Sequence, residues 1–329
     1  MADGSDTAGG RLGEFGRIAR FFRPLTNGVD GALNLEDDAA LLSAPDAGAY
    51  ALSVDTLTEG IHFIGDEPPD LIARKAVRVN LSDLAGMGAR PVGYFLALSL
   101  PPTIDDEWVA EFARGLAEDQ AEFGWSLLGG DSTSSEKRVS VTVTAVGDVA
   151  PGSALRRSGG KPGDAVFVSG SIGDAAFGLG VAQGRFFEIA ETKPLLDRYR
   201  LPQPRVELGL AMAGVAHAGM DISDGLVADL RHLCEASGVG ARIEAAEIPL
   251  SGAASSLIAD DPSLFIEALT GGDDYELLVC GPEDAILEAA AEIDVSLRRI
   301  GRLVETPGIA VVDRDGHAIS FEREGYRHD

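Results

Sequence analysis

The chain has 329 residues, 45% apolar and 24% charged, so it is rich enough in apolar groups to bury a core and is not a disordered chain. Its 53 acidic residues against 27 basic ones give a formal charge of −26, which argues against nucleic acid and anionic membranes as partners. The first ten residues carry neither a basic flank nor an apolar segment, so no signal peptide is expected. The longest nearly uncharged apolar stretch, 91–102, is too short to span a bilayer, and a soluble cytoplasmic protein is the expectation.

In chain order, a helix is predicted over 12–25, ended by Pro24, and a short strand over 49–54. A helix follows over 69–87, closed by Gly88 and Pro91, then a buried strand over 92–100. Residues 105–123 read as a helix with Trp108, Phe112 and Phe123 on one side. Val139, Val141 and Val143 alternate with Ser140, Thr142 and Thr144, the mark of a strand with one buried face. A Gly-rich basic patch at 156–163 is the expected boundary, giving domains 1–150 and 151–329. The second half restarts with a strand over 165–169 and a helix near 174–184. Helices are predicted over 205–217, 224–237 and 283–293, and strands over 275–280 and 296–303. The mixture is an α/β (α+β) fold, not a bundle or a sandwich.

The two cysteines exclude a disulfide framework and a zinc knuckle. Cys234 shares helical spacing with Leu226, Leu230 and Leu233, and Cys280 closes an apolar strand, so both read as core thiols. The five histidines show no paired zinc spacing, and His217 and His232 read as helix-surface residues.

Most of the acids read as solvated surface, but six clusters do not. They are Asp37-Asp38 before an apolar run, Asp55 after a strand, Asp83 in a helix, Asp131 after Gly129-Gly130, Asp221 with Asp224, and Asp273-Asp274 after Gly271-Gly272. At about 100° per residue, Asp83 returns to within roughly 20° of Ile72, on a stripe with Ala76 and Val79. A carboxylate on an apolar face needs a cation or donors, and few Lys or Arg lie near these segments. Taken singly, Asp37, Asp131 or Asp274 reads as a cap or turn residue. Taken together, the clusters point to a hard cation on oxygen ligands, Mg²⁺ or Mn²⁺.

Such ions on aspartates serve phosphate chemistry. The P-loop class is excluded, because Gly159-Gly160-Lys161 continues into Pro162. Ser223 is a suitable N-cap for the helix after it, with N–H groups placed to take an anion, and Gly129-Gly130 allows close backbone approach. Arg156 or Arg157 is available to a phosphate oxygen, although spacing alone reads them as linker charges.

The motifs D-D-A-A-L-L at 37–42, S-V-D-T-L-T-E-G-I-H-F at 53–63, N-L-S-D-L-A-G-M-G-A-R-P at 80–91 and G-G-D-S-T at 129–133 open a series. It continues with R-S-G-G-K-P-G-D at 157–164, D-I-S-D-G-L at 221–226, G-G-D-D-Y-E-L at 271–277 and G-Y-R-H at 325–328. In this order they resemble the thiamine-monophosphate kinase family, of the ATP-binding superfamily that also holds aminoimidazole ribonucleotide synthetase. The resemblance implies a two-domain fold and a homodimer whose N-terminal domains combine their strands into a β-barrel. The first domain would carry ATP/Mg binding and dimerisation, and the second would complete the active-site cleft. It also implies ATP and several Mg²⁺ ions, thiamine monophosphate as substrate and thiamine diphosphate as product. By position, Asp38, Ser53, Asp55, Asp83, Asp131, Asp221 and Asp224 match metal-binding residues. Val54 stands where the family often has Thr, and its carbonyl serves there. Gly130, Asp131, Arg157 and Ser223 match nucleotide contacts. His62, Asp273 and Tyr326 match positions that hold thiamine phosphate, with Asp273 in place of the usual Glu.

The chemistry agrees. The attacking group is a phosphate oxygen, already ionised because its second pKa is about 6, so no side chain is expected to act as general base or nucleophile. The alternatives are an amide-activating synthetase of the same superfamily and a non-catalytic acidic metal-binding module.

Overall fold

The computed structural model describes residues 12, 14–29, 32, 35, 47–187, 191–321 and 325. Strands and helices mix throughout, as the sequence predicts. The chain forms two units, one of Met1–Leu81 with Pro91–Asp148, the other of Ser82–Arg90 with Val149–Asp329.

In the first unit, helix α1 (Glu14–Arg17) continues as a π-helical turn, Ile18–Phe22, and a 3-10 turn, Arg23–Thr26. The predicted single helix is thus wound three ways. Pro24 does not end it, because it stands in the first turn of the 3-10 segment, where a missing N–H costs nothing. Strands β1 (Ala49–Thr58), β2 (Arg90–Leu100), β3 (Leu127–Ser134) and β4 (Ser140–Val149) form a sheet in the order β1-β4-β2-β3. In β4, Val141, Val143 and Ala145 are buried while Ser140, Thr142 and Thr144 are half-exposed, the alternation read from the sequence. The sequence reading missed β3, because Leu-Leu-Gly-Gly followed by a polar run carries no period of two. It pairs parallel to β2, Gly130 opposite Leu96 and Asp131 opposite Ala97. A Cβ on Gly130 would lie 1.9 Å from the Leu96 carbonyl oxygen, so glycine is what lets these strands meet.

Helices α2 (Pro69–Gly86) and α3 (Asp106–Phe123) accompany this sheet. Asp105 caps α3 by accepting from the Trp108 N–H at 2.9 Å, and Gly124, at φ +68°, ends it. Buried Asp119 on α3 accepts from Arg74 Nε at 2.7 Å and from Arg78 Nε and Nη2 at 2.7 and 2.9 Å. The expectation that cations are scarce near the Asp83 helix is therefore corrected. The same helix carries Arg74, Lys75 and Arg78, with Lys75 and Arg78 buried. Arg74 and Arg78 are held by α3, and Lys75 donates to the His62 carbonyl at 3.0 Å.

The second unit is built on a six-stranded sheet. Its strands are β5 (Ala165–Ser169), β6 (Ala218–Ile222), β7 (Gly240–Glu244), β8 (Glu276–Gly281), β9 (Leu297–Val304) and β10 (Gly308–Val312), in the order β10-β7-β9-β5-β8-β6. Only β7 and β10 pair in parallel; β5 with β8, β5 with β9, β6 with β8 and β7 with β9 are antiparallel. Its helices are α4 (Asp174–Ala182), α5 (Lys193–Arg200), α6 (Val206–Met212), α7 (Leu226–Ser237), α8 (Gly252–Asp260), α9 (Leu264–Thr270) and α10 (Glu283–Ala290). Leu226, Leu230, Leu233 and Cys234 of α7 pack on Val166, Met220, Leu278 and Cys280 of the sheet, so both thiols are core residues as predicted.

The predicted helix over 205–217 stops at Met212. Gly214 turns at φ +76°, and the wholly buried strand β6 follows. Nothing in Ala-Gly-Met-Asp-Ile signals a strand, since only Ile222 is β-branched. His217 is consequently not on a helix surface but in the turn before β6, its Nδ1 2.9 Å from Asp164 Oδ2. Buried Asp274, just before β8, accepts from the N–H groups of Gly173 at 2.7 Å and Ala175 at 3.3 Å and so caps α4. The single-residue reading of Asp274 as a cap is the one the structure bears out. Neither sheet closes on itself among the described residues.

Removing the Asp119 carboxylate in Asp119→Ala leaves the buried Arg78 guanidinium without its main partner. The expected loss is about 3–5 kcal/mol, a large part of an ordinary domain's stability, read as a drop in the urea midpoint. A change within the scatter of surface variants would mean that Glu122 alone, 2.5 Å from Arg78, suffices.

Burial pushes the Asp274 carboxyl from 3.8 up to about 8, against the pull of the two N–H donors and Arg198. Below about pH 4 both folded and unfolded chains hold this proton; as pH rises through 8 the folded one must release it too, so the group's stabilising contribution is lost across that window. Thermal midpoints of the parent should fall from pH 5 to 8 more steeply than those of Asp274→Asn. Equal slopes would show that another group carries the dependence.

Candidate active site

The antiparallel pairing of β6 with β8 sets Asp221 opposite Leu277 and Ile222 opposite Glu276. The loop leaving β6, 222–225, and the turn entering β8, 271–275, are therefore neighbours. The Asp273 N–H donates to the Ser223 carbonyl and the Tyr275 N–H to the Ile222 carbonyl, both at 2.8 Å. The contact is close enough that a Cβ on Gly272 would lie 2.5 Å from the Ser223 oxygen. Asp273 and Tyr275 both sit in the left-handed region, φ +72° and +50°, an uncommon pair for residues with side chains. The Tyr275 hydroxyl donates to Asp273 Oδ1 at 3.3 Å.

Buried Asp221 accepts at Oδ2 from the Ser82 hydroxyl at 2.7 Å. The tail of α2 reaches β6 because both backbones are bare there. A Cβ on Gly86 would stand 3.0 Å from the Asp221 nitrogen, and one on Gly209 would stand 2.3 Å from the Ala85 oxygen. Asp83, one residue after Ser82, is half-exposed, so the premise of a buried carboxylate on an apolar stripe is corrected. α2 is buried on nearly every side from Lys75 to its end at Gly86, and Asp83 alone of that stretch is half-exposed.

The sequence expectation for Ser223 is also corrected. The residue at the N-cap of α7 is Gly225, at φ +111° and ψ +148°, and no side chain caps it. The N–H groups of Ser223 and Asp224 are taken by Oδ2 of Asp229, both at 3.0 Å. Asp229 is buried, and burial pushes its carboxyl up to about 7. The Asp224 and Ser223 N–H groups and Arg157 pull against that rise, while the Asp224 carboxylate adds to it. Arg157 itself is exposed, with its carbonyl held by the Ser237 hydroxyl at 2.9 Å. The structure thus gathers Asp83, Ser82 and Asp221, and beside them Ser223, Asp224 and Asp273. Gly325 lies against Ala228 and the Asp224 carbonyl, 2.4 and 2.9 Å from where its Cβ would be. The expected Asp38 and Tyr326 lie outside the described residues.

In the other unit, Ser53 and Asp55 are half-buried on β1, while Val54 between them is 61% exposed on the opposite face. Gly130 and Asp131 are exposed on β3, within the strand and not after it. His62 Nδ1 accepts from the Thr58 N–H at 3.1 Å, so the ring proton of the neutral imidazole sits on Nε2. Glu67 closes the adjoining loop, accepting from the N–H groups of Ile64 and Gly65 at 2.9 and 2.7 Å.

Carboxylate, hydroxyl and carbonyl oxygens at Asp83, Asp221 and Asp224, and at Ser53, Val54, Asp55 and Asp131, are the donor chemistry a hard cation takes. Among the described residues, the one group of three acidic or histidine side chains with ligand atoms within 4.8 Å is elsewhere, the exposed Asp313, Asp315 and His317. There the Asp313 carboxylate already accepts from the N–H groups of Asp315 and His317.

Sequence reasoning passed over Ser82, Asp229 and Glu276. Ser82 and Glu276 were in view inside the motifs N-L-S-D and D-D-Y-E-L. Asp229 had no signal, since its partners are backbone groups that only the folded loop brings to it.

Residues 36–149 match the AIR synthase related protein N-terminal domain, and 161–314 match its C-terminal domain. A thiamine-monophosphate kinase of Caulobacter vibrioides is 41% identical over 322 residues, 96% of this chain and 90% of its own. The crystal structure of a thiamine-monophosphate kinase from Stenotrophomonas maltophilia K279a aligns at TM-score 0.79 and 39% identity, over 86% of this chain and 90% of that one. A structure described as AaThiL complexed with AMPPCP and TMP aligns at TM-score 0.77 and 30% identity, over 98% of this chain and all of that one. With relatives of this identity spanning nearly its whole length, the chain belongs to the thiamine-monophosphate kinase family.

Proposed function

We propose that this protein transfers the γ-phosphoryl group of ATP to thiamine monophosphate, releasing ADP and thiamine diphosphate. The observation that carries the reading is the alignment, over 98% of the chain, with a family structure holding an ATP analogue and TMP. In the transfer, a phosphate oxygen of thiamine monophosphate forms a bond to the γ-phosphorus. The bond from that phosphorus to the β-bridging oxygen breaks, and its electron pair leaves on ADP. The attacking oxygen is already largely deprotonated at neutral pH, so no base is needed. The thiols are unsuited to a covalent relay, since burial pushes Cys234 up to about 11 and Cys280 well above its ordinary value.

Mg²⁺ ions, when bound, would neutralise the phosphates and align the in-line displacement. Asp38, Asp55, Asp83, Asp131, Asp221 and Asp224, with the Ser53 hydroxyl and the Val54 carbonyl, are the residues we assign to hold them. Gly130, Asp131, Arg157 and Ser223 are assigned to the nucleotide. Because Asp229 already occupies the Ser223 N–H, that residue serves through its hydroxyl or carbonyl. His62, with its proton on Nε2, is a donor suited to a phosphate oxygen, and Asp273 and Tyr326 complete the set for thiamine phosphate. Gly325 beside the Asp224 backbone supports a tail that reaches this loop.

A homodimer joined through the N-terminal sheets, their strands forming a barrel, belongs to the same proposal. β1 is an edge strand, and Leu52 and Val54 on its open face are 69% and 61% exposed. Edges of this kind are ordinarily covered. We assign dimerisation and ATP/Mg binding to 1–150 and the remaining site residues to 151–329, with a cytoplasmic setting. No helix among the described residues is long and apolar enough to cross a membrane.

Incubation with ATP, Mg²⁺ and thiamine monophosphate, followed by chromatography, should yield thiamine diphosphate and ADP in equal amounts; ADP without thiamine diphosphate would point to another acceptor. In the same assay Asp83→Asn should lose roughly 100-fold or more in turnover while its thermal midpoint holds. Near-normal turnover at limiting Mg²⁺ would remove Asp83 from the site. For the dimer, sedimentation should show a two-chain species that Leu52→Glu dissociates, and a parent chain that sediments as a monomer would end the barrel pairing.

A further inference from the structure

The motif G-G-D-D-Y-E-L places Glu276 directly after the left-handed Tyr275, and Glu276 is wholly buried. Its carboxylate accepts from the Ser169 hydroxyl at 2.5 Å, from Arg198 Nη2 at 2.7 Å, and from Arg205 Nε and Nη2 at 2.6 Å each. Two guanidinium groups against one carboxylate are more than pairing requires, and they are not equivalent. Arg205 is bidentate to Glu276. Arg198 divides one nitrogen, Nη2, between Glu276 and the main-chain carbonyl of Asp274 at 3.0 Å. That carbonyl belongs to the residue flanked by the two left-handed positions, Asp273 and Tyr275.

The connections form a closed circuit. The Asp274 side chain caps α4 through Gly173 and Ala175. α4 is pressed onto α5, where a Cβ on Gly178 would lie 2.1 Å from the Leu195 carbonyl and Ala175 and Val181 pack with Leu196 and Tyr199. α5 carries Arg198, whose guanidinium returns to the Asp274 carbonyl. Two uncommon backbone conformations in succession persist only where the surroundings over-determine them. Here the side chain, the carbonyl and both flanking N–H groups of one turn are all fixed.

We infer that Arg198 is a positioning residue, which sets the turn carrying Asp273 and thereby the affinity for the phosphate-monoester substrate. It touches neither substrate in this assignment; it acts through Asp274. The inference rests on the placement of Asp273 against thiamine monophosphate. Arg205 is its natural control, because it neutralises the same carboxylate without reaching the turn.

The test compares Arg198→Gln and Arg205→Gln in the full chain, by Michaelis constants for thiamine monophosphate and ATP and by thermal midpoint. Arg198→Gln should raise the constant for thiamine monophosphate about tenfold, the order that one charge-assisted bond carries, and leave that for ATP unchanged. Arg205→Gln should lower the thermal midpoint and leave both constants unchanged. Should Arg198→Gln fail to fold, Arg198→Lys keeps a positive charge beside Glu276 but lacks the planar fork. It should shift the same constant in the same direction. An equal rise in the Arg198 and Arg205 variants would mean charge neutralisation only, and an equal rise for both substrates, or none, would equally overturn the assignment. A parent chain that makes no thiamine diphosphate would sink the functional reading itself. An active parent with an unmoved Arg198 variant sinks the Arg198 assignment alone.

Discussion

The register of β6 against β8 governs where the second unit's candidate residues stand. Once Ile222 stands opposite Glu276, the residues that follow one strand and precede the other share a few ångströms of sheet edge. Their hydrogen bonds are then settled within narrow limits. A slip of one residue would turn Asp221 from the face where Ser82 meets it to the other side of the sheet. Packing on both faces opposes such a slip, since every residue of β6 and β8 is enclosed and each side chain would have to be seated anew. The chemistry-bearing loops inherit their placement from core packing that has no chemistry of its own.

Much of this was legible in the sequence, and the failures have physical causes. Helices α2 and α3 were visible because Gly88 and Pro91 close the first and Trp108, Phe112 and Phe123 share one side of the second. β4 was visible because its two faces differ. β3 and β6 were not, since one is polar at its exposed end and the other is buried on both faces, and neither pattern differs from a loop or the tail of a helix. The carboxylates were found as clusters, yet their roles divided only in three dimensions. Asp274 caps a helix and Asp229 holds a loop. Asp119, an unremarked acid on an amphipathic helix, is among the most buried. Their partners are backbone groups or residues distant in sequence, which spacing does not reveal.

Internal acids and surface acids follow different rules in this chain. The formal charge of −26 is mostly solvated, screened by salt and unspecific. Inside, each carboxylate is answered individually. Asp119 takes two arginines, Glu276 takes two more and a serine, and Asp229 takes two amides. The amides spent on Asp229 belong to the two residues before the Gly225 cap, in the loop that enters α7.

Gly86 and Gly209 contribute no functional group, yet they fix how near the α2 tail comes to β6 and α6. Their role is a distance between main chains, and no other side chain reproduces it. A side chain at Gly209 would overlap the Ala85 carbonyl and force the α2 tail, with Ser82 and Asp83, to shift, while one at Gly86 would press on the backbone of β6. Divergence in substrate range has to enter where a side chain is changed without moving the frame. Asp273 stands at a place of that kind, on a turn whose backbone N–H groups are already held.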